Sequence, residues 1–74
     1  MLKEHDTVAL ARDLPEFALE AGDLGAIVHV YPDGSAYEVE FVSLDGDTLA
    51  LVTLDADAIR PIAKREIASA RQVA

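Results

Sequence analysis

Seventy-four residues, 51% of them hydrophobic, make one small domain with an apolar core and leave no room for a second. Thirteen of the fourteen acids lie in residues 1–59 beside only Lys3 and Arg12, a net −11, whereas residues 60–74 carry Arg60, Lys64, Arg65 and Arg71 against Glu66, a net +3; together they give the chain's −8. That polarity argues against a polyanion as the main partner. The absence of cysteine excludes disulfides and thiolate metal sites, and no apolar run approaches the roughly 20 residues of a membrane span.

The first predicted strand is short, with Val8 and Leu10 offered to a core. Residues 13–25 follow as an irregular connection. Pro15 fits the first turn of a single helical turn through Phe17 and Leu19, and a closed loop fits equally. Gly22 and Gly25 mark positive φ or close backbone approach. Residues 25–31 are a β-branched run; its alternation puts Ile27, His29 and Tyr31 on one side and Ala26, Val28 and Val30 on the other. Residues 32–35, Pro-Asp-Gly-Ser, are a turn. Residues 36–42 alternate cleanly: Tyr37, Val39 and Phe41 share one face, Glu38 and Glu40 the other, the period-two pattern of an antiparallel strand with one wet side.

A second turn, Asp45-Gly46-Asp47, leads into residues 48–54. There Leu49 and Leu51 face one way, and Ala50, Val52 and Leu54 the other, so this strand is either central or partly covered. Asp55 to Ile59 reads as a tight, 3₁₀-like turn. Residues 60–62 make a last strand, which Pro61 confines to an edge. Ala63, Ile67, Ala70 and Ala74 recur at helical spacing, so residues 63–74 are expected to form a short C-terminal helix, docked or frayed.

This order predicts a mainly β fold: an SH3-like small five-stranded barrel over residues 1–62 with a helical tail over 63–74. Ala21-Gly22-Asp23-Leu24-Gly25-Ala26-Ile27-Val28 resembles the Gly-Asp-x-Gly-x-Val strand entry of SH3-like barrels, including the KOW element and the nitrile hydratase β-subunit barrel. There Asp23 would bind backbone N–H groups and Gly25 would let the chain bend. A longer pattern runs through Asp6-x-Val8-x-Leu10, Asp13-Leu14-Pro15, Leu19-x-Ala21-Gly22-Asp23-x-Gly25, Tyr31-x-Asp33-Gly34, residues 36–41 and Ile59-Arg60-Pro61. It resembles a family of small bacterial proteins of unknown function. The resemblance implies an SH3-like barrel with no established catalytic activity, sometimes the small partner in a two-gene module beside a toxin-like protein.

The candidate partner-binding residues are Glu38 and Glu40 on the wet strand face, Asp33, Asp45 and Asp47 at the turns, and Tyr31 and Tyr37 as amphipathic anchors. The plain alternative is a solvated face with edge-protecting charges. No catalytic set is present: Ser35, Ser43 and Ser69 lack a nucleophile context, and His5 and His29 lack metal-ligand spacing. Asp45 does not open a calcium loop, since the twelfth position is Ala56. No cofactor is implied. Lys64, Arg65 and Arg71 fit RNA poorly beside thirteen acids. They would instead meet the body's own acidic face or that of a second copy, which would give a homo-dimer.

The expected function is therefore a cytoplasmic, acidic, non-enzymatic protein-binding module, an antitoxin or inhibitor masking a basic, nuclease-like toxin. The alternatives are an assembly barrel of a larger complex, bound through the apolar side of residues 48–54, or an RNA-binding barrel. The first six residues lack an apolar h-region, so no signal peptide is expected.

Overall fold

The computed structural model describes residues 2–73; Met1 and Ala74, at the outer ends of the expected barrel and tail, lie outside the described residues. Five strands form one antiparallel sheet: β1 (Thr7–Leu10), β2 (Leu24–Val30), β3 (Ala36–Val42), β4 (Thr48–Asp55) and β5 (Ile59–Pro61). Their spatial order is β4-β3-β2-β1-β5. Two 3₁₀ turns, Pro15–Phe17 and Ala56–Ala58, complete the regular structure. No helix of the described residues is long and apolar enough to cross a membrane.

One core serves all five strands. Val8 and Leu10 of β1, Ile27 of β2, Tyr37, Val39 and Phe41 of β3, Val52 and Leu54 of β4 and Ile59 of β5 form a single cluster. Strands at opposite ends of the order thus share it, so the sheet curves over its own inner face. The alternation of β3 is as expected: its three apolar side chains are buried and Glu38 and Glu40 point out, half-buried. Each aliphatic side chain taken from water contributes about 1.5–3 kcal/mol. The core is apolar throughout, with no buried polar or charged side chain among the described residues.

Two bulges depart from simple alternation. β2 pairs Ile27 with Val39 but His29 with Glu38, so Val28 is an extra residue. Ile27 is buried and Val30 packs on the core, while Val28 and His29 are both exposed. The expected grouping of Ile27 with His29 fails for that reason: an unpaired residue shifts the side-chain phase by one. In β4, Phe41 pairs with Ala50 and Val42 with Thr48, leaving Leu49 extra. β4 is also the last strand of the order rather than a central one, and Leu49 and Leu51 on its outer side are 42% and 55% exposed.

Gly22 and Gly25 take one role each. Gly22 has φ +94°, in the left-handed region. Gly25 lies buried within β2, where a Cβ would sit 2.7 Å from Cγ1 of Val39 and 2.8 Å from Cε1 of Phe41. The 13–23 connection is both a turn and a closed loop. Leu14 and Leu19 exchange backbone hydrogen bonds of 2.9 and 3.1 Å and plug the core, with the Pro15–Phe17 turn between them.

Among the described residues the expected C-terminal helix is absent. Residues 66–73 hold no regular structure, and Ile67 is 93% exposed. Alanine at the other described positions of the stripe buries too little surface to dock a helix of this length, which is marginal without packing. The tail instead starts with a turn in which the Glu66 carboxylate accepts from the N–H of Ala63 at 2.7 Å and from Nη1 of Arg60 at 2.8 Å.

Gly25→Ala is expected to destabilise the domain by about 1–3 kcal/mol, because the added methyl overpacks the β2–β3 contact. For a domain of this size that lowers Tm by roughly 4–8 °C per kcal/mol, readable by thermal unfolding followed by circular dichroism.

Candidate functional site

The outward face of the β2–β3–β4 meander carries the two strand carboxylates. His29, Glu38 and Thr53 stand opposite one another across the three strands, and Ala26, Glu40 and Leu51 form the parallel row. Oε1 of Glu38 accepts from Oη of Tyr31 at 3.2 Å and from Oγ1 of Thr53 at 2.6 Å. Oε2 of Glu40 accepts from Oγ1 of Thr48 at 2.8 Å. The Tyr31 ring meets His29 edge to face, with centroids 4.8 Å apart, and Nδ1 of His29 lies 3.9 Å from Glu4.

Residues two apart on a strand are about 7 Å apart, a spacing at which two negative charges repel by only about 0.6 kcal/mol in water. Hydrogen bonds of about 1 kcal/mol each outweigh that. The hydroxyls therefore hold two carboxylates side by side on the sheet.

The turn aspartates belong to different places. β3 spans about 20 Å, so Asp33 and the Asp45–Asp47 pair sit at opposite ends of it rather than in one patch with Glu38 and Glu40. The carboxylates of Asp33 and Asp45 are occupied locally, and Asp47 enters its turn through its backbone. Asp33 accepts from the N–H of Ser35 at 3.0 Å and its hydroxyl at 2.6 Å. The Asp45 carboxylate accepts from the Ser43 hydroxyl, which also receives the N–H of Asp47 at 3.1 Å. These serine hydroxyls hold the carboxyls of Asp33 and Asp45 below the usual carboxylate range. Their work is turn formation.

Tyr37 is 7% exposed, with its ring in the core, so it offers no anchor to a partner. Tyr31 is half-buried and remains at the surface, beside an open depression walled by Pro32, Ser35, Ala36 and Thr53. Among the described residues no three His, Asp or Glu side chains come together as a metal site would require.

At the start of β2, Asp23 does what its motif implied. Its Oδ2 accepts from the N–H of Glu20 at 2.8 Å, while its own N–H donates to the Glu20 carbonyl at 3.0 Å. Gly22 turns the chain immediately before it, and Gly25 admits β2 against β3 two residues later. Residues 4–61 match the family described as Domain of unknown function (DUF4926). The chain belongs to this family. No curated protein and no solved structure matches it.

The DUF4926 match ends at Pro61, the last residue of β5, and the tail beyond it is tied back to the matched region. Arg71 donates from Nε to Oδ1 of Asp23 at 2.9 Å and from Nη2 to Oδ2 at 2.5 Å, a bidentate pair. Nη2 also reaches the Ala18 carbonyl at 3.1 Å, and Nη1 lies 3.7 Å from Glu20. Of the three basic residues expected to fold back, Arg71 meets the body's own acids, on the 13–23 loop rather than at Glu38 and Glu40. Sequence reading missed this contact because its partners are 48 positions apart; the one available signal was a lone arginine in an otherwise neutral run, residues 67–73.

The Arg71 hydrogen bonds hold the Asp23 carboxyl below the usual carboxylate range, against the opposing effect of burial. A lowered pKa means that docking is complete above the ordinary carboxylate value and is lost as pH falls through the lowered one. Backbone ¹⁵N relaxation of residues 67–73 should therefore stay constant from neutral pH down to about pH 4 and report release below it. Arg71→Ala should release the tail at every pH with little change in Tm, since an exposed ion pair contributes little to stability.

Proposed function

We propose that this DUF4926 protein is a non-enzymatic, acidic protein-binding module, acting in the cytoplasm, whose partner presents a basic surface. An antitoxin or inhibitor that masks a small, nuclease-like toxin is the form of this activity that the charge polarity and the family resemblance support. We read the fold as an SH3-like barrel, on the strand order β4-β3-β2-β1-β5, the 3₁₀ turn between β4 and β5, and the core shared by both end strands. The observation that carries the functional reading is the pair of carboxylates on β3. Tyr31, Thr53 and Thr48 hold Glu38 and Glu40 side by side on the sheet. Preset charge of this kind accelerates encounter and selects among partners.

A second reading rests on Leu49 and Leu51. They stand exposed on the outer side of β4, beside Glu40, and would suit an assembly contact within a larger complex. The two modes differ in what they require.

Pull-down of the neighbouring gene's product by the tagged protein should succeed at low salt and weaken at high salt. Glu38→Lys with Glu40→Lys should reduce capture by roughly tenfold or more through like-charge repulsion, with the domain still folded by circular dichroism at the temperature of the assay. Leu51→Ala should leave capture intact. Loss on Leu51→Ala with retention on charge reversal would establish the assembly mode instead. No capture at low salt would sink the first.

A further inference from the structure

The tail touches the body through a narrow register. Of residues 67–73, Arg71 makes the polar contacts and Val73 is the half-buried one, while Ile67 and the intervening residues are exposed. Arg71, Gln72 and Val73 together border a cleft of about 450 Å³ whose other walls include Pro15, Phe17, Leu19 and Leu49. Arg71 sets its guanidinium on the loop acids, and Val73, two residues on, is the half-buried side chain of the tail at the same cleft.

The loop is built to receive that arginine. Ala18 adopts the left-handed conformation, φ 58° and ψ 32°, a cost that an alanine bears only when the surroundings fix it. Among the described residues no backbone N–H donates to its carbonyl, which accepts from the Arg71 guanidinium instead. The N–H of Glu20 fixes Asp23 in the orientation that takes the guanidinium fork edge-on. Glu20 adds a second negative charge at its flank. A planar fork matched by a carboxylate and a carbonyl selects arginine over lysine.

We propose that the cleft between the 13–23 loop and β4 is a recognition site for an arginine-x-aliphatic segment of a protein partner, with Arg71 and Val73 of the chain's own tail as the resident occupant. The tether from Pro61 to Arg71 supplies an effective concentration on the order of millimolar, so the tail keeps the site closed against weak ligands. The clasp itself is partly exposed and opens readily, and a partner that adds contacts elsewhere displaces it. This site is separate from the Glu38 and Glu40 face, and the two stand or fall on different substitutions.

The probe is a fluorescein-labelled peptide of the tail sequence Glu-Ile-Ala-Ser-Ala-Arg-Gln-Val, titrated into the full chain and followed by fluorescence anisotropy. Arg71→Ala should bind it at least about tenfold more tightly than the wild type, because the tethered competitor is gone. Adding Asp23→Asn, or separately Glu20→Gln, to Arg71→Ala should weaken that binding. Glu20→Gln touches no hydrogen bond of the loop, so it tests the site even if Asp23→Asn disturbs the turn. A peptide with lysine in place of its arginine should bind poorly. Amide shift changes should fall on residues 13–23 and Leu49. Equal binding by wild type and Arg71→Ala, or indifference to both acidic substitutions, would overturn the proposal. So would concentration-dependent dimerisation of the wild type by tail exchange, which would make a second copy the natural occupant.

Discussion

The close approach of β2 to β3 at Gly25 underlies the rest of the molecule. A backbone position without Cβ lets Val39 and Phe41 fill the space against β2. With those two side chains committed inward, the period-two geometry of β3 leaves Glu38 and Glu40 no other direction than out. Gly25 also follows Asp23 by two residues, so the same stretch of chain that seats the core fixes the acid that receives Arg71. Packing, the acidic face and the tail contact thus share one short segment of sequence.

The carboxylates of this protein divide by their partners. Asp33 and Asp45 are engaged by serines two residues away and shape turns. Glu38 and Glu40 are engaged from neighbouring strands, by Tyr31, Thr53 and Thr48, and remain directed outward. Asp23 is engaged by a guanidinium from the far end of the chain and is the least exposed acid among the ion pairs. A net charge of −8 therefore describes at least three kinds of group, and the strand pair and the loop acids are the ones held outward by partners from elsewhere in the chain.

What the sequence made legible follows from how local each cause is. β3 was legible because alternating polarity over seven residues specifies both strand and face. The roles of Gly22 and Gly25 were legible as a choice between positive φ and close approach, and only the fold distributes them. The Val28 bulge left no trace, because Ile27 to Val30 contains no turn residue to mark an insertion. β4 read as central or partly covered because both its faces are apolar; it ends the strand order, and Leu49 and Leu51 stay exposed. Tyr37 shared the face of Val39 and Phe41, and burial followed from that grouping rather than from its polar hydroxyl. The tail stripe mistook alanine spacing for an apolar face. Its actual restraint is a pair of ionic contacts, Glu66 with Arg60 and Arg71 with Asp23.

The extra residue at Leu49 has a bearing on solubility. β4 ends the strand order, so its outer rim presents unpaired backbone groups alongside exposed leucines, the combination that invites stacking into fibrils. A bulge near the start of that rim twists it and breaks the even spacing of donors and acceptors, so a like strand cannot lie flush along its length. A chain that is half hydrophobic is thereby guarded against polymerising through its most greasy border.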